Sequence, residues 1–146
     1  MARAFSVEDG NLTSSIIRST RTRVYKDIDL SFTAKPSGEI YKKQDAASVK
    51  QGVKNVLLTN FAEKPFNPRF GANLRSRLFD LADADAEYDI ERQILAAVET
   101  YEPRAKILNV RAVVQPDNNE IEVTVTFIVV STSEEVTFTT TLARLR

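Results

Sequence analysis

The chain has 146 residues, 42% hydrophobic and 27% charged, with twenty basic side chains against twenty acidic ones. That length suits one main domain with a real core, no apolar run approaches the roughly 20 residues of a membrane-spanning helix, and the neutral total charge gives no case for a nucleic-acid partner. The absence of cysteine and histidine excludes disulfides, thiolate metal sites, cysteine nucleophiles and the commonest general base.

Residues 1–23 are rich in Ser, Thr and Arg, and they include the short apolar pair Ile16-Ile17 but no block like a secretory h-region. They read as an arm that orders against something else, and assembly inside a cytoplasm is the default. Residues 24–146 are the expected single domain. In DIDLSF, Ile28, Leu30 and Phe32 alternate with Asp27, Asp29 and Ser31, which predicts a strand whose apolar face meets the core. Pro36 and Gly38 then turn the chain, and EIYKK returns as a second short strand. Asp45 is the expected N-cap of a helix that buries Val49, Val53, Val56 and Leu57 and turns Lys50 and Lys54 to solvent.

KPFNPRFGANLRSRLF, residues 64–79, reads as a rigid elbow leading into a second helix. Pro65 and Pro68 stiffen it, Phe66 and Phe70 are expected to anchor it to the core, and Gly71 lets the chain swing. Phe70, Leu74, Leu78 and Leu81 then share one helical face. Arg69, Arg75 and Arg77 serve either acids of the same domain or an acidic neighbour, and the sequence leaves both open. A third helix is expected from Asp83 or Asp85, burying Ile90, Ile94, Val98 and Tyr101 and stopped by Pro103. From Lys106 the period changes to two. Residues 107–114, 120–130 and 135–145 predict a three-strand antiparallel meander, with Ile121, Val123, Val125, Phe127 and Val129 on one face of its middle strand.

The fold class is therefore α+β: an antiparallel sheet, made of the C-terminal meander and an N-terminal strand or hairpin, packed against about three helices. In the last strand Val136, Phe138, Thr140 and Leu142 face inward and Thr137, Thr139 and Thr141 outward, with only Arg144 and Arg146 as charged gatekeepers. Such an edge invites a strand from another chain, although cover by the N-terminal arm is an equal alternative.

Chemistry is hard to find. The four glycines are scattered, so no phosphate loop and no nucleotide cofactor are expected. A glycosidase needs only two carboxyl groups, for which Glu87, Glu91 and Glu102 are the candidates. Acids near a helix start, however, ordinarily complement the macrodipole. In YEPRAK, Pro103 stiffens the junction between helix and strand and holds Glu102 and Arg104 on either side, as a local clamp or as an interface site.

Taken in order, DIDLSF, KPSGEI, SVKQGVKNVLLTN, KPFNPRFGANLRSRLF and YEPR before a three-strand tail resemble the gene 25-like baseplate wedge proteins, or sheath initiators, of contractile-tailed phages, which have a counterpart in type VI secretion baseplates. The resemblance runs from about Tyr25 to the C-terminus and leaves residues 1–23 unmatched. It implies a structural, non-enzymatic virion protein in a sixfold assembly, with baseplate wedge proteins and the tail sheath protein as partners and no cofactor or small-molecule substrate. It also implies that Glu102, Pro103 and Arg104 dock on the helical core bundle of the wedge, and that residues 136–142 (Val136, Thr137, Phe138, Thr139, Thr140, Thr141, Leu142) accept sheath strands. The alternative is a peptidoglycan-degrading, lysozyme-like hydrolase.

Overall fold

The computed structural model describes residues 24–79 and 85–143. The expected arm at 1–23, and with it Leu81, Asp83, Arg144 and Arg146, lies outside the described residues. Among the described residues eight elements follow one another: β1 (Lys26–Ile28), β2 (Lys42–Gln44), α1 (Asp45–Leu58), α2 (Leu74–Arg77), α3 (Ala86–Tyr101), β3 (Ala105–Gln115), β4 (Glu120–Val129) and β5 (Glu135–Ala143). β1 and β2 form a small antiparallel sheet, and β3, β4 and β5 form an antiparallel meander in that order. The class is α+β, as the change of period along the chain predicts.

The core lies between the meander and the helices. β4 alternates without interruption, burying Ile121, Val123, Val125, Phe127 and Val129, and β5 adds Phe138 and Leu142. α1 supplies Val49, Val53, Val56 and Leu57, and α3 supplies Ile90, Ile94, Ala97 and Val98. These are the positions that helical spacing selects, because residues three and four apart share a face.

Three local expectations change. The DIDLSF strand ends at Ile28, because the carboxylate of Asp29 accepts the Ser31 amide at 3.0 Å and its carbonyl accepts the Phe32 amide at 3.1 Å, closing a turn. The strand also presents the opposite face: Ile28, Leu30 and Phe32 are exposed, Phe32 by 64%, while Tyr25, Asp27 and Asp29 turn inward. Asp45 is the first residue of α1 rather than a side-chain cap, and its carboxylate accepts the Tyr25 amide at 3.3 Å. The second helix is a single turn, since the amides of Leu78 and Phe79 bond back three residues to Arg75 and Ser76 instead of four.

Candidate functional site

Glu102, Pro103 and Arg104 form the corner where α3 meets β3. The Glu102 amide donates the last helical bond to the Val98 carbonyl at 2.8 Å, and the Ala105 amide then donates to the Glu102 carbonyl at 3.0 Å. Pro103 thus occupies the second position of a tight turn, where its fixed φ is already correct. Closing that turn brings the two flanking side chains together. Arg104 grips Glu102 with two prongs, Nε to Oε1 at 2.6 Å and Nη2 to Oε2 at 2.9 Å.

The same guanidinium reaches across the fold. Its Nη1 donates to Oδ2 of Asp27 at 2.9 Å and to the Ser48 hydroxyl at 3.3 Å, while Ser48 itself donates to Asp27 Oδ2 at 2.6 Å. Tyr25 lies beneath the cation, 5.5 Å from its ring centre. One arginine therefore ties the end of α3 to β1 and α1, which explains the inverted face of β1: Asp27 is drawn inward by a cation 77 residues away in sequence. The Ser48 hydrogen bond, followed by the Arg104 guanidinium, holds the Asp27 carboxyl below its usual range, and the two carboxylates raise the Arg104 pKa further. Gly52 makes room for the pair, since a β-carbon there would run into the Glu102 carboxylate. Ser48 and Gly52 carry no sequence signal beyond being small residues on the buried side of a helix.

An open groove of about 530 Å³ begins at this cluster and is lined by Ile28, Leu30, Val56, Phe70 and Tyr101. At its far end is the elbow. Phe70 packs on Tyr101 with ring centres 4.9 Å apart, and the Tyr101 hydroxyl donates to the Arg69 carbonyl at 2.8 Å. Gly71 has φ +105°, and a β-carbon at that position would strike the Thr59 carbonyl. Phe66, expected to anchor the elbow in the core, instead stands wholly in solvent. Of the three elbow arginines, Arg77 turns inward, its Nε donating to Gln93 Oε1 at 2.9 Å, whereas Arg69 and Arg75 are exposed.

The two edges of the meander differ. Along β3, Glu91 Oε1 accepts the Ala112 amide and Glu87 Oε1 accepts the Val114 amide, each at 3.0 Å. The match is geometric: four residues of helix advance about 6 Å and two residues of strand about 6.8 Å, so glutamates one turn apart meet alternate outward amides. Along β5, the residues Val136, Thr137, Phe138, Thr139, Thr140, Thr141 and Leu142 pair with β4 alone among the described residues. The Thr124–Thr139 and Thr126–Thr137 hydroxyl pairs, 3.2 and 3.4 Å apart, line the outer face.

A family model described as baseplate wedge protein gp25 matches residues 43–134. The baseplate wedge protein gp25 of Enterobacteria phage T4 is 26% identical over 114 residues, 78% of this chain and 86% of that protein. Several solved structures share the fold. A chain labelled a tail lysozyme from Geobacter sulfurreducens superposes with a TM-score of 0.59 at 20% identity, covering 67% of this chain and 89% of that one. A chain of the sixfold-symmetrised baseplate of the anti-feeding prophage gives 0.59 at 14% identity, over 88% and 90%. A chain of the postcontracted pyocin R2 baseplate gives 0.50 at 17% identity, over 82% and 99%.

Proposed function

The chain belongs to the gp25 family of baseplate wedge proteins, and from that premise we propose that it is a non-enzymatic structural subunit of a contractile tail, held in the virion and repeated around a sixfold ring. It docks on the helical core bundle of the wedge through the face around Glu102, Pro103 and Arg104, and it starts the sheath by lending the edge of β5 to a strand of the tail sheath protein.

The asymmetry of the meander carries this reading. Glu87 and Glu91 occupy outward amides on the β3 side, whereas β5 keeps its outer edge unpaired among the described residues. An open edge recruits further strands through backbone hydrogen bonds and makes little demand on side-chain identity. The groove beside the triplet supports the docking half. Its apolar side chains, set among the polar Lys26, Gln51 and Asn55, suit an amphipathic helix, and the exposed Ile28 and Leu30 are apolar surface that the described residues leave uncovered.

The acids that a lysozyme-like hydrolase would need are otherwise engaged. Glu87 and Glu91 hold backbone amides and Glu102 holds Arg104, so the three carboxylates serve the fold, which supports the non-enzymatic reading.

A density map of the assembled baseplate tests the strand-addition half: a foreign strand is expected alongside Thr137 to Thr141, and an unpaired outer edge there would remove it. Leu30→Asp tests the docking half. Leu30 is exposed and lines the groove, so this variant is expected to lose co-purification with wedge partners at an unchanged melting temperature. Undiminished co-purification would refute docking at this face.

A further inference from the structure

The elbow between α1 and α2 ends in a side chain that the fold does not use. Phe66 is 106% exposed, more than a phenylalanine in an extended reference peptide. Leaving such a ring in water forgoes most of the stabilisation that burying a large apolar side chain brings. Its exposure is built in. The Ala62 amide donates to the Pro68 carbonyl at 2.7 Å, the Asn67 amide to Lys64 at 3.3 Å and the Phe70 amide to Asn67 at 3.1 Å, closing the loop on itself. The Glu63 carboxylate ties the base by accepting the amide and the side-chain nitrogen of Asn60 at 2.8 and 2.7 Å. Pro65 and Pro68 limit the backbone on either side, and Phe66 itself has φ +64°, the left-handed region that a bulky side chain adopts only when its surroundings impose it.

The charge around the ring is mainly basic; Glu63 at the base of the loop is the acid beside it, bound to Asn60 and within the field of Arg75. Residues 64–79 contain Lys64, Arg69, Arg75 and Arg77 and no acid. Lys64 lies over the Phe70 ring at 4.0 Å and Arg77 bonds Gln93, while Arg69 and Arg75 are exposed. A rigidly held aromatic flanked by arginines has the composition of an interface hot spot, and its rigidity lowers the entropy cost of docking. We propose that Phe66 is an anchor that enters an apolar pocket of a neighbouring protein subunit, and that carboxylates on the rim of that pocket meet Arg69 and Arg75. A lipid surface is the poorer fit, because even a whole myristoyl chain binds a bilayer only marginally and one ring offers far less apolar area. The proposal rests on membership in a baseplate family. It does not depend on the Glu102–Arg104 face or on the β5 edge, so each can fail separately.

The experiment uses baseplates assembled with variant chains in place of the wild type. Phe66→Ser is expected to weaken incorporation into purified baseplates by at least about thirtyfold, as loss of a buried aromatic anchor does. Phe66→Leu should restore part of it, and both variants should melt at the wild-type temperature because the ring makes no core contact. A photo-crosslinker at position 66 should join the chain, in intact baseplates, to a peptide of a different subunit that carries Asp or Glu beside apolar residues. Wild-type incorporation of Phe66→Ser would overturn the proposal. So would crosslinks confined to copies of this chain or to lipid.

Discussion

Replacing Arg104 with alanine removes the cation that stands between Glu102 and Asp27. Glu102 is 5% exposed and would lose both guanidinium bonds, at 2.6 and 2.9 Å, with little solvent access to replace them. Removing one partner of a buried pair costs about 3–5 kcal/mol. The side chain of Arg104 is itself 26% exposed, so solvent already screens part of the attraction and the low end, about 3 kcal/mol, applies. The Asp27 side is 34% exposed and keeps its bond to Ser48, so it adds no more than about 1 kcal/mol. Urea unfolding followed by circular dichroism reads the sum. With a slope of about 1–3 kcal/mol per molar, a loss of about 3 kcal/mol lowers the midpoint by at least about 1 M. Arg104→Lys keeps the charge but not the two-pronged fit and should recover only part of the loss. The pair Glu102→Gln and Arg104→Met should cost less together than the sum of the singles, because the double variant leaves no buried charge alone. A loss below about 1 kcal/mol for Arg104→Ala, with additive singles, would refute the clamp.

Asp27 gives the fold a pH signature. Its carboxyl is depressed by the Ser48 hydrogen bond and then by Arg104, so its contribution is complete above the unfolded value of about 3.9 and is lost as pH falls through the lower folded value. Asp27→Asn should therefore flatten the acid limb of a stability-against-pH curve below about pH 4, and an unchanged limb counts against the assignment. Gly52→Ala should destabilise by more than about 1 kcal/mol in urea, even though alanine favours a helix by about that much, because its methyl group meets the Glu102 carboxylate; a neutral or stabilising result would mean that the clamp can move aside. Glu87→Ala with Glu91→Ala strips the acceptors from the Ala112 and Val114 amides. Light scattering should then show concentration-dependent self-association through the opened β3 edge, with about 1–2 kcal/mol lost in stability. A monomeric double variant would show that those carboxylates do not guard the edge.

Periodicity alone was enough to place α1, α3 and the meander, and to pick out Val53, Ile94, Val123 and Phe127 as core. Each of these elements is long, and its pattern reports a property of the element itself: which positions share a face. The ordered motifs are likewise legible, and the family match at 43–134 covers those from SVKQGVKNVLLTN to YEPR. Short elements were less so. The alternation at residues 27–32 predicts an inward apolar face, and the fold turns the other face inward.

What opposes a face depends on chain segments remote in sequence, and that only the tertiary structure decided. Asp27 turns inward instead of Ile28 because Arg104 arrives from 77 residues away, and a charge-assisted bond inside the fold outweighs one aliphatic side chain left in water. Glu87 and Glu91 look in sequence like acids at a helix start, and they cover the β3 edge only because α3 is laid along β3 with matching repeat. Phe66 looks like core and stands outside because the elbow closes on itself beneath it. Composition and spacing along the chain thus determined the elements and their order, whereas the charge pairs, the guarded edge and the exposed ring arose from contacts that exist only once distant segments meet.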